Sequence, residues 1–310
     1  MRVLVTGGAG FIGTNVCHLL LETDGVAGVR VLDDLSTGFR HNVDEIDVEF
    51  HEATLLDPDA VSRAVEGCDS IIHLGALGSV PRSVADPMAS HEANATGTLN
   101  LLIAARDAGN LPVVVASSSS VYGSVPDLPK HEDLPTRPMS PYAASKLATE
   151  WYTLAFRECY ELPALAFRFF NVYGPHQPAH HAYAPVMPAF IEAALSGEPI
   201  PVHGDGTQSR DFTYVGTVAE VLVDAVIRQV SHPTPVNLAF GSRIDLLQII
   251  GHLEEILGRP LERNHGSNRA GDVPHTQADP TLLESLFPDV TPVEFRPGIE
   301  ATVEWWRSLR

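Results

Sequence analysis

The eight residues TGGAGFIG (6–13) constrain this chain most. They follow the β-branched run VLV (3–5) and open a helical pattern at 12–22. Gly7 permits a tight turn after the strand, Gly10 lets backbone approach a pyrophosphate, and Gly13 lets the helix close onto a sheet. The helix N-terminus then offers N–H groups and the positive end of its dipole to phosphates. Asp33 ends the second strand, twenty residues after Gly13. A carboxylate there accepts from an adenosine ribose and repels a 2′-phosphate, so the pattern predicts NAD rather than NADP. The alternative is an ordinary strand–turn–helix with an Asp N-cap, which the joint context disfavours.

Downstream, short apolar runs alternate with helical patterns: 29–34, 58–66, 70–76, 93–108, 112–118, 141–160 and 164–170. This rhythm predicts an α/β fold, a Rossmann-type doubly wound parallel sheet. From 171 prolines and glycines thicken and the rhythm breaks. A smaller α/β substrate domain is expected from about 171–210 plus 241–310. Residues 1–170 plus about 211–240, with a helix at 217–229, form the NAD-binding domain in this division. GIEATVEWWRSLR (298–310) has the pattern of a closing amphipathic helix.

With 20 basic against 39 acidic side chains, the net charge of −19 argues against a nucleic-acid or anionic-membrane surface. Cys17, Cys68 and Cys159 fit neither a disulfide framework nor a zinc site, and the 14 histidines, His180-His181 among them, show no metal spacing. No signal-type or 18-residue apolar run is present. The expectation is a cytoplasmic protein without a metal.

PYAASK (141–146) sets Tyr142 and Lys146 four apart, on one face of a helix's first turns. A phenol with a pKa of about 10 is a poor base at neutral pH. A neighbouring ammonium, helped by a nicotinamide's positive charge, stabilises the phenolate. The alternative is a surface Lys beside a half-buried Tyr.

Together these motifs resemble the extended short-chain dehydrogenase/reductase family of nucleotide-sugar enzymes. TGGAGFIG, DDLSTG (33–38), HLGA (73–76), ASSSSVYG (116–123), SPYAASK (140–146), RFFNVYGP (168–175), GDGTQSRDFTYV (204–215) and RAGDV (269–273) stand in family order. The resemblance implies cofactor contacts at Gly7, Gly10, Phe11, Ile12, Gly13, Asp33, Ser36, Thr37 and Gly38. It adds Thr54, Leu55, Leu74, Gly75 and Ala76, with Tyr142 and Lys146 shared with catalysis. It makes Ser118, Tyr142 and Lys146 the catalytic set, leaves Ser117 to the turn, and implies a homodimer formed by the helices near 94–108 and 143–160. Dehydratases and decarboxylases resembling this chain carry acids just before VYG, where it has Ser119 and Ser120. The implied reaction is therefore 4-epimerisation of a UDP-hexose through a 4-keto intermediate.

On the substrate side the resemblance implies Asn171, Arg210 and Arg269 at the diphosphate and Asp272 at the uridine ribose. Ser79 and Arg82 are candidates for sugar or nicotinamide-loop contacts, with a plain turn as the alternative. Asn94 matches a family helix position or bonds buried backbone. Thr276 stands where some epimerases have a bulkier tyrosine, which leaves room for a C2 N-acetyl group. UDP-glucuronate 4-epimerases share ASSSSVYG but tend to have Thr in place of Asn171. Two departures are visible: Ala53-Thr54 replaces Gly-Asp after the third strand, and Gly75 replaces an alanine.

Overall fold

The computed structural model describes residues 1–179, 185–267 and 273–310. In chain order it begins β1 (Arg2–Thr6), α1 (Phe11–Glu22), β2 (Gly28–Asp33), β3 (Val48–Glu52), α2 (Pro58–Val65), β4 (Ser70–His73), α3 (Val80–Ala85) and α4 (Pro87–His91). A π-turn at Glu92–Thr96 leads into α5 (Gly97–Asp107), β5 (Val113–Ser118), α6 (Pro141–Tyr160), β6 (Ala164–Phe169) and β7 (Asn171–Tyr173). Next come α7 (Val186–Ser196), β8 (Ile200–His203), β9 (Ser209–Arg210), β10 (Phe212–Tyr214), α8 (Val215–Ile227) and β11 (Val236–Leu238). The chain closes with β12 (Ile244–Asp245), α9 (Leu246–Leu257), β13 (Arg263–Gly266), α10 (Thr281–Leu286) and α11 (Phe295–Ser308).

Seven parallel strands form the central sheet in the order β11-β6-β5-β4-β1-β2-β3. The strands flanking the centre are apolar on both faces because helices cover both. One core joins Val3, Val5, Ile72 and Phe167 to α1 (Val16, Leu20) and α8 (Val218, Leu222). The opposite face packs Leu4, Ile71 and Val115 on α2 (Val61, Val65) and α5 (Leu101, Leu102). A separate core gathers Phe190, Val202, Phe212, Ile250 and Trp306 from α7, β8, β10, α9 and α11.

Local chemistry sets the helix ends that matter to the site. Ser140 caps α6 by accepting from Ala143 N at 3.1 Å, and Pro141 follows at the first helical position. Glu161, in the left-handed region at φ 57°, ends that helix. The helix expected at 93–108 is instead a wide turn followed by α5, and the run 70–76 leaves the sheet after His73. Crowding explains the second difference: a Cβ on Gly7 would lie 2.8 Å from Gly75 N, so the chain beyond β4 must pass the first turn without side chains between.

Candidate active site

A cavity of about 530 Å³ opens over the C-terminal ends of the central strands. Its volume suits a bound cofactor. Gly10 starts α1 with no side-chain cap, and no acid lies in the first turn, so the helix N–H groups face the cavity uncompensated. Gly13 is indispensable to that approach, because a Cβ there would lie 2.1 Å from Gly7 O. Asp33 is buried and fixed by two backbone amides, Ala9 N at 3.0 Å and Leu35 N at 2.9 Å. Burial raises its pKa, and the two amides pull it back. Asp34 also lines the cavity, adding a second acid against a 2′-phosphate.

Of the expected cofactor residues, Gly7, Gly10, Phe11, Ile12, Gly13, Asp33, Ser36, Thr37, Thr54, Leu55, Leu74, Gly75, Ala76, Tyr142 and Lys146 all line this cavity. Gly38 stands outside the lining, packed against Ala9. A dinucleotide therefore fits the residues present: glycines and an open helix end for phosphates, carboxylates for a ribose, and a Tyr–Lys pair at the far end.

At that end Ser118 comes from the tip of β5, and Tyr142 and Lys146 from successive turns of α6. Burial raises the pKa of the Tyr142 phenol, and the neighbouring Ser118 hydroxyl pulls it back. The Lys146 ammonium is buried and donates to Ala116 O at 2.8 Å. Desolvation brings its pKa down to about 8, which still leaves it mostly charged at neutral pH. A raised phenol beside an ammonium can exchange a proton with a substrate hydroxyl once further positive charge is present.

The four serines divide sharply. Ser118 Oγ accepts from Ser120 N at 3.2 Å and so orders the turn 119–122. Ser119 and Ser120 lie in that turn, outside the cavity lining. Ser117, expected only to serve the turn, is buried and donates to Glu150 Oε2 at 3.0 Å.

Sequence reasoning missed the frame behind this set. Glu150, one turn beyond Lys146, takes two bonds from Arg168: Nε to Oε2 at 2.9 Å and Nη2 to Oε1 at 2.7 Å. The pair is fully enclosed, and the guanidinium lies 4.7 Å from the centre of the Tyr122 ring. Tyr122 in turn donates to Asn237 Oδ1 at 2.7 Å. A second chain runs from Thr6 through His73 (2.7 Å) to Thr98 (2.9 Å). Asn94 bonds Leu77 N at 2.7 Å and Leu77 O at 3.2 Å, as the backbone alternative required, and also Ser145 Oγ at 2.9 Å. The signal was an Arg inside the apolar strand ALAFRFF and an acid on the buried face of the Tyr–Lys helix.

A second cavity of about 380 Å³ adjoins the first, sharing Phe170, Val172 and Gln177. Asn171 and Arg210 line it, with His203, Gln208 and Phe212. Asn171 Nδ2 donates to Asp211 O at 3.2 Å, and Arg210 Nη1 to Ser209 O at 2.9 Å and Pro274 O at 3.1 Å. Three expected substrate residues line neither cavity. Ser79 spends its hydroxyl capping α3 by accepting from Arg82 N, which draws Arg82 into the same helix. Thr276 is tied by its amide to Ser209 O at 3.1 Å, and its buried hydroxyl finds no partner among the described residues. Arg269, Asp272, His180 and His181 lie outside the described residues. Among the described residues no His, Cys, Asp or Glu group is placed to hold a metal, and no helix is long and apolar enough to cross a membrane.

The sequence model of the NAD dependent epimerase/dehydratase family matches residues 3–239. The chain belongs to that family. It is 37% identical over 318 residues to UDP-glucose 4-epimerase of Mycolicibacterium smegmatis, covering 99% of each chain. Against UDP-glucuronate 4-epimerase of Thermodesulfobacterium geofontis it is 34% identical over 316 residues, covering 97% and 95%. Among solved structures, UDP-glucose 4-epimerase of Thermus thermophilus in complex with NAD superimposes with a TM-score of 0.90 at 37% identity, over 100% of both chains. UDP-N-acetylglucosamine 4-epimerase of Methanobrevibacter ruminantium, in complex with UDP-N-acetylmuramic acid, gives 0.93 at 34% identity, over 100% and 99%. This member of the epimerase/dehydratase family is an NAD-dependent enzyme with the Rossmann-like α/β fold of its relatives.

Proposed function

We propose that the enzyme is a 4-epimerase of UDP-hexoses, acting on UDP-glucose/UDP-galactose or UDP-GlcNAc/UDP-GalNAc and keeping its NAD through turnover. One observation carries the reading. Ser118, Tyr142 and Lys146 meet at one end of the cavity, while the acids lining it (Asp33, Asp34 and Glu92) come from other elements and none follows Ser118. Elimination of water needs an acid and base of its own; proton removal from one hydroxyl needs only the set present.

The cavity's glycines and Asp33 would hold NAD, which when bound supplies a hydride acceptor at C4 of the sugar and returns the hydride. Tyr142 takes the 4-hydroxyl proton and later gives it back. Lys146 holds the phenolate by charge, and the Ser118 hydroxyl, in the same cavity lining as Tyr142, orients the sugar oxygen. Asn171 and Arg210 hold the diphosphate in the second cavity, with Arg269 and Asp272 assigned to the diphosphate and the uridine ribose. Tethered there, the 4-keto sugar turns its other face to the catalytic end. Residues 1–170 plus about 211–240 hold the cofactor in this reading, and 171–210 plus 241–310 the sugar nucleotide. We also propose a cytoplasmic homodimer; exposed Trp151 and Tyr152 on α6 and Ile103 on α5 give its helices an apolar face to pair.

UDP-glucuronate is the second reading, favoured by the relative named UDP-glucuronate 4-epimerase at 34% identity. Purified enzyme incubated with UDP-glucose, UDP-GlcNAc and UDP-glucuronate, without added NAD, is expected to yield a C4 epimer from one of the first two. Turnover of the glucuronate alone selects the second reading. A 4-keto-6-deoxy product, or no epimer, contradicts both.

A further inference from the structure

The base end of the cofactor cavity poses a hydrogen-bond problem that the third strand does not solve. An adenine brings an exocyclic amine with two N–H donors, and burying a donor without an acceptor is costly. Leu55 and Leu56, just after β3, line the cavity and give a planar ring an apolar wall. The nearby polar atoms are largely engaged. Thr54 Oγ1 accepts from Leu56 N at 3.3 Å, Asp34 Oδ1 from Ser36 N at 2.9 Å, and both Asp33 oxygens from backbone amides.

Facing this wall is the π-turn. Its wide bond, from Gly97 N to Glu92 O, shifts Glu92 and Ala93 off the line of α5 and into the cavity lining. The turn sits on the leucine wall: a Cβ on Gly97 would lie 2.9 Å from Leu55 Cβ and 3.7 Å from Glu92 O. Asn100 fixes the contact by donating to Leu55 O at 2.9 Å. Glu92 is exposed, and among the described residues its carboxylate has no hydrogen bond or ion pair.

We infer that Glu92 accepts from the exocyclic amine of the dinucleotide's adenine and so sets which base the cavity takes. The inference rests on this cavity holding NAD. A charged acceptor facing an amine is favourable; facing a carbonyl it is repulsive, which makes the base itself the probe.

Purified enzyme is equilibrated with an equimolar excess of NAD and nicotinamide hypoxanthine dinucleotide, which carries a carbonyl in place of the amine. Free nucleotide is removed, and the bound pair is released and quantified by chromatography. Wild type is expected to retain NAD over the analogue by about tenfold or more. Glu92→Ala reduces the preference to within about twofold, while Glu92→Gln, whose amide oxygen still accepts, keeps part of it. Unaltered thermal unfolding shows that each variant is folded. A wild-type protein with no preference, or a Glu92→Ala variant with full preference, overturns the inference while leaving NAD binding intact. Retention of neither nucleotide by wild type overturns both.

Discussion

The two cavities meet at Phe170, Val172 and Gln177, yet they are built from different material. The larger rests on parallel strands whose ends are pinned by buried polar chains, Arg168–Glu150–Ser117 on one side and Thr6–His73–Thr98 on the other. The smaller is walled by α7, two- to four-residue strands and connecting loops, with Arg210 anchored on carbonyl oxygens. Rigid backing suits a proton transfer, where a displacement of an ångström is costly. A pocket made of loops and helix faces can change its fit to a substrate without disturbing the reacting groups. On the proposed function, chemistry belongs to the first cavity and choice of sugar nucleotide to the second.

Substitutions on the two sides should therefore fail differently. Tyr142→Phe is expected to lower kcat by about 10²–10⁴-fold with NAD still bound, read by steady-state assay and by the nucleotide content of the purified variant. Glu150→Ala leaves the Arg168 charge buried and unpaired, so a loss of about 3–5 kcal/mol is expected in urea unfolding. Replacing both partners by apolar residues should recover much of that loss. Arg210→Gln should instead raise KM about tenfold, the effect of one charge-assisted hydrogen bond, with stability changed by less than about 1 kcal/mol. If it lowers kcat as severely as Tyr142→Phe, the division between cavities fails.

The smallest effect is a pH dependence. Burial lowers the pKa of His73 to about 3, below its ordinary 6.5. Between these values the unfolded chain binds the additional proton, so His73 favours folding fully above about pH 6.5 and progressively less as pH falls. Relative to wild type, His73→Gln should flatten stability over that window by about 1 kcal/mol at pH 6, measured by urea unfolding at several pH values.

The glycine-rich turn and the Tyr–Lys helix were legible because backbone sterics and helical spacing are local, and both are written in consecutive residues. Fifteen of the sixteen expected cofactor residues reach the same cavity, with Gly38 outside it. The buried frame was not legible, since Glu150, Arg168, Ser117 and Tyr122 come together only when β5, β6 and α6 pack. Ser79 and Arg82 show the converse: their place after the fourth strand suggested ligand contact, but local capping claimed the hydroxyl. The wide turn at Glu92 has no composition signal; tertiary bonds from Asn94 to Leu77 and Ser145 hold it.

In the proposed reaction a sugar loses and regains its own C4 hydrogen while the same proton-transfer set serves both faces. UDP-glucose carrying deuterium at C4, incubated without added NAD, tests it directly by mass spectrometry and NMR of both epimers. C4 epimerisation is expected with the label kept at C4 in UDP-glucose and UDP-galactose alike. Should UDP-GlcNAc prove the preferred sugar, the same label belongs on its C4. Loss of deuterium to solvent, or its appearance in NADH released in amounts matching product, would contradict this mechanism.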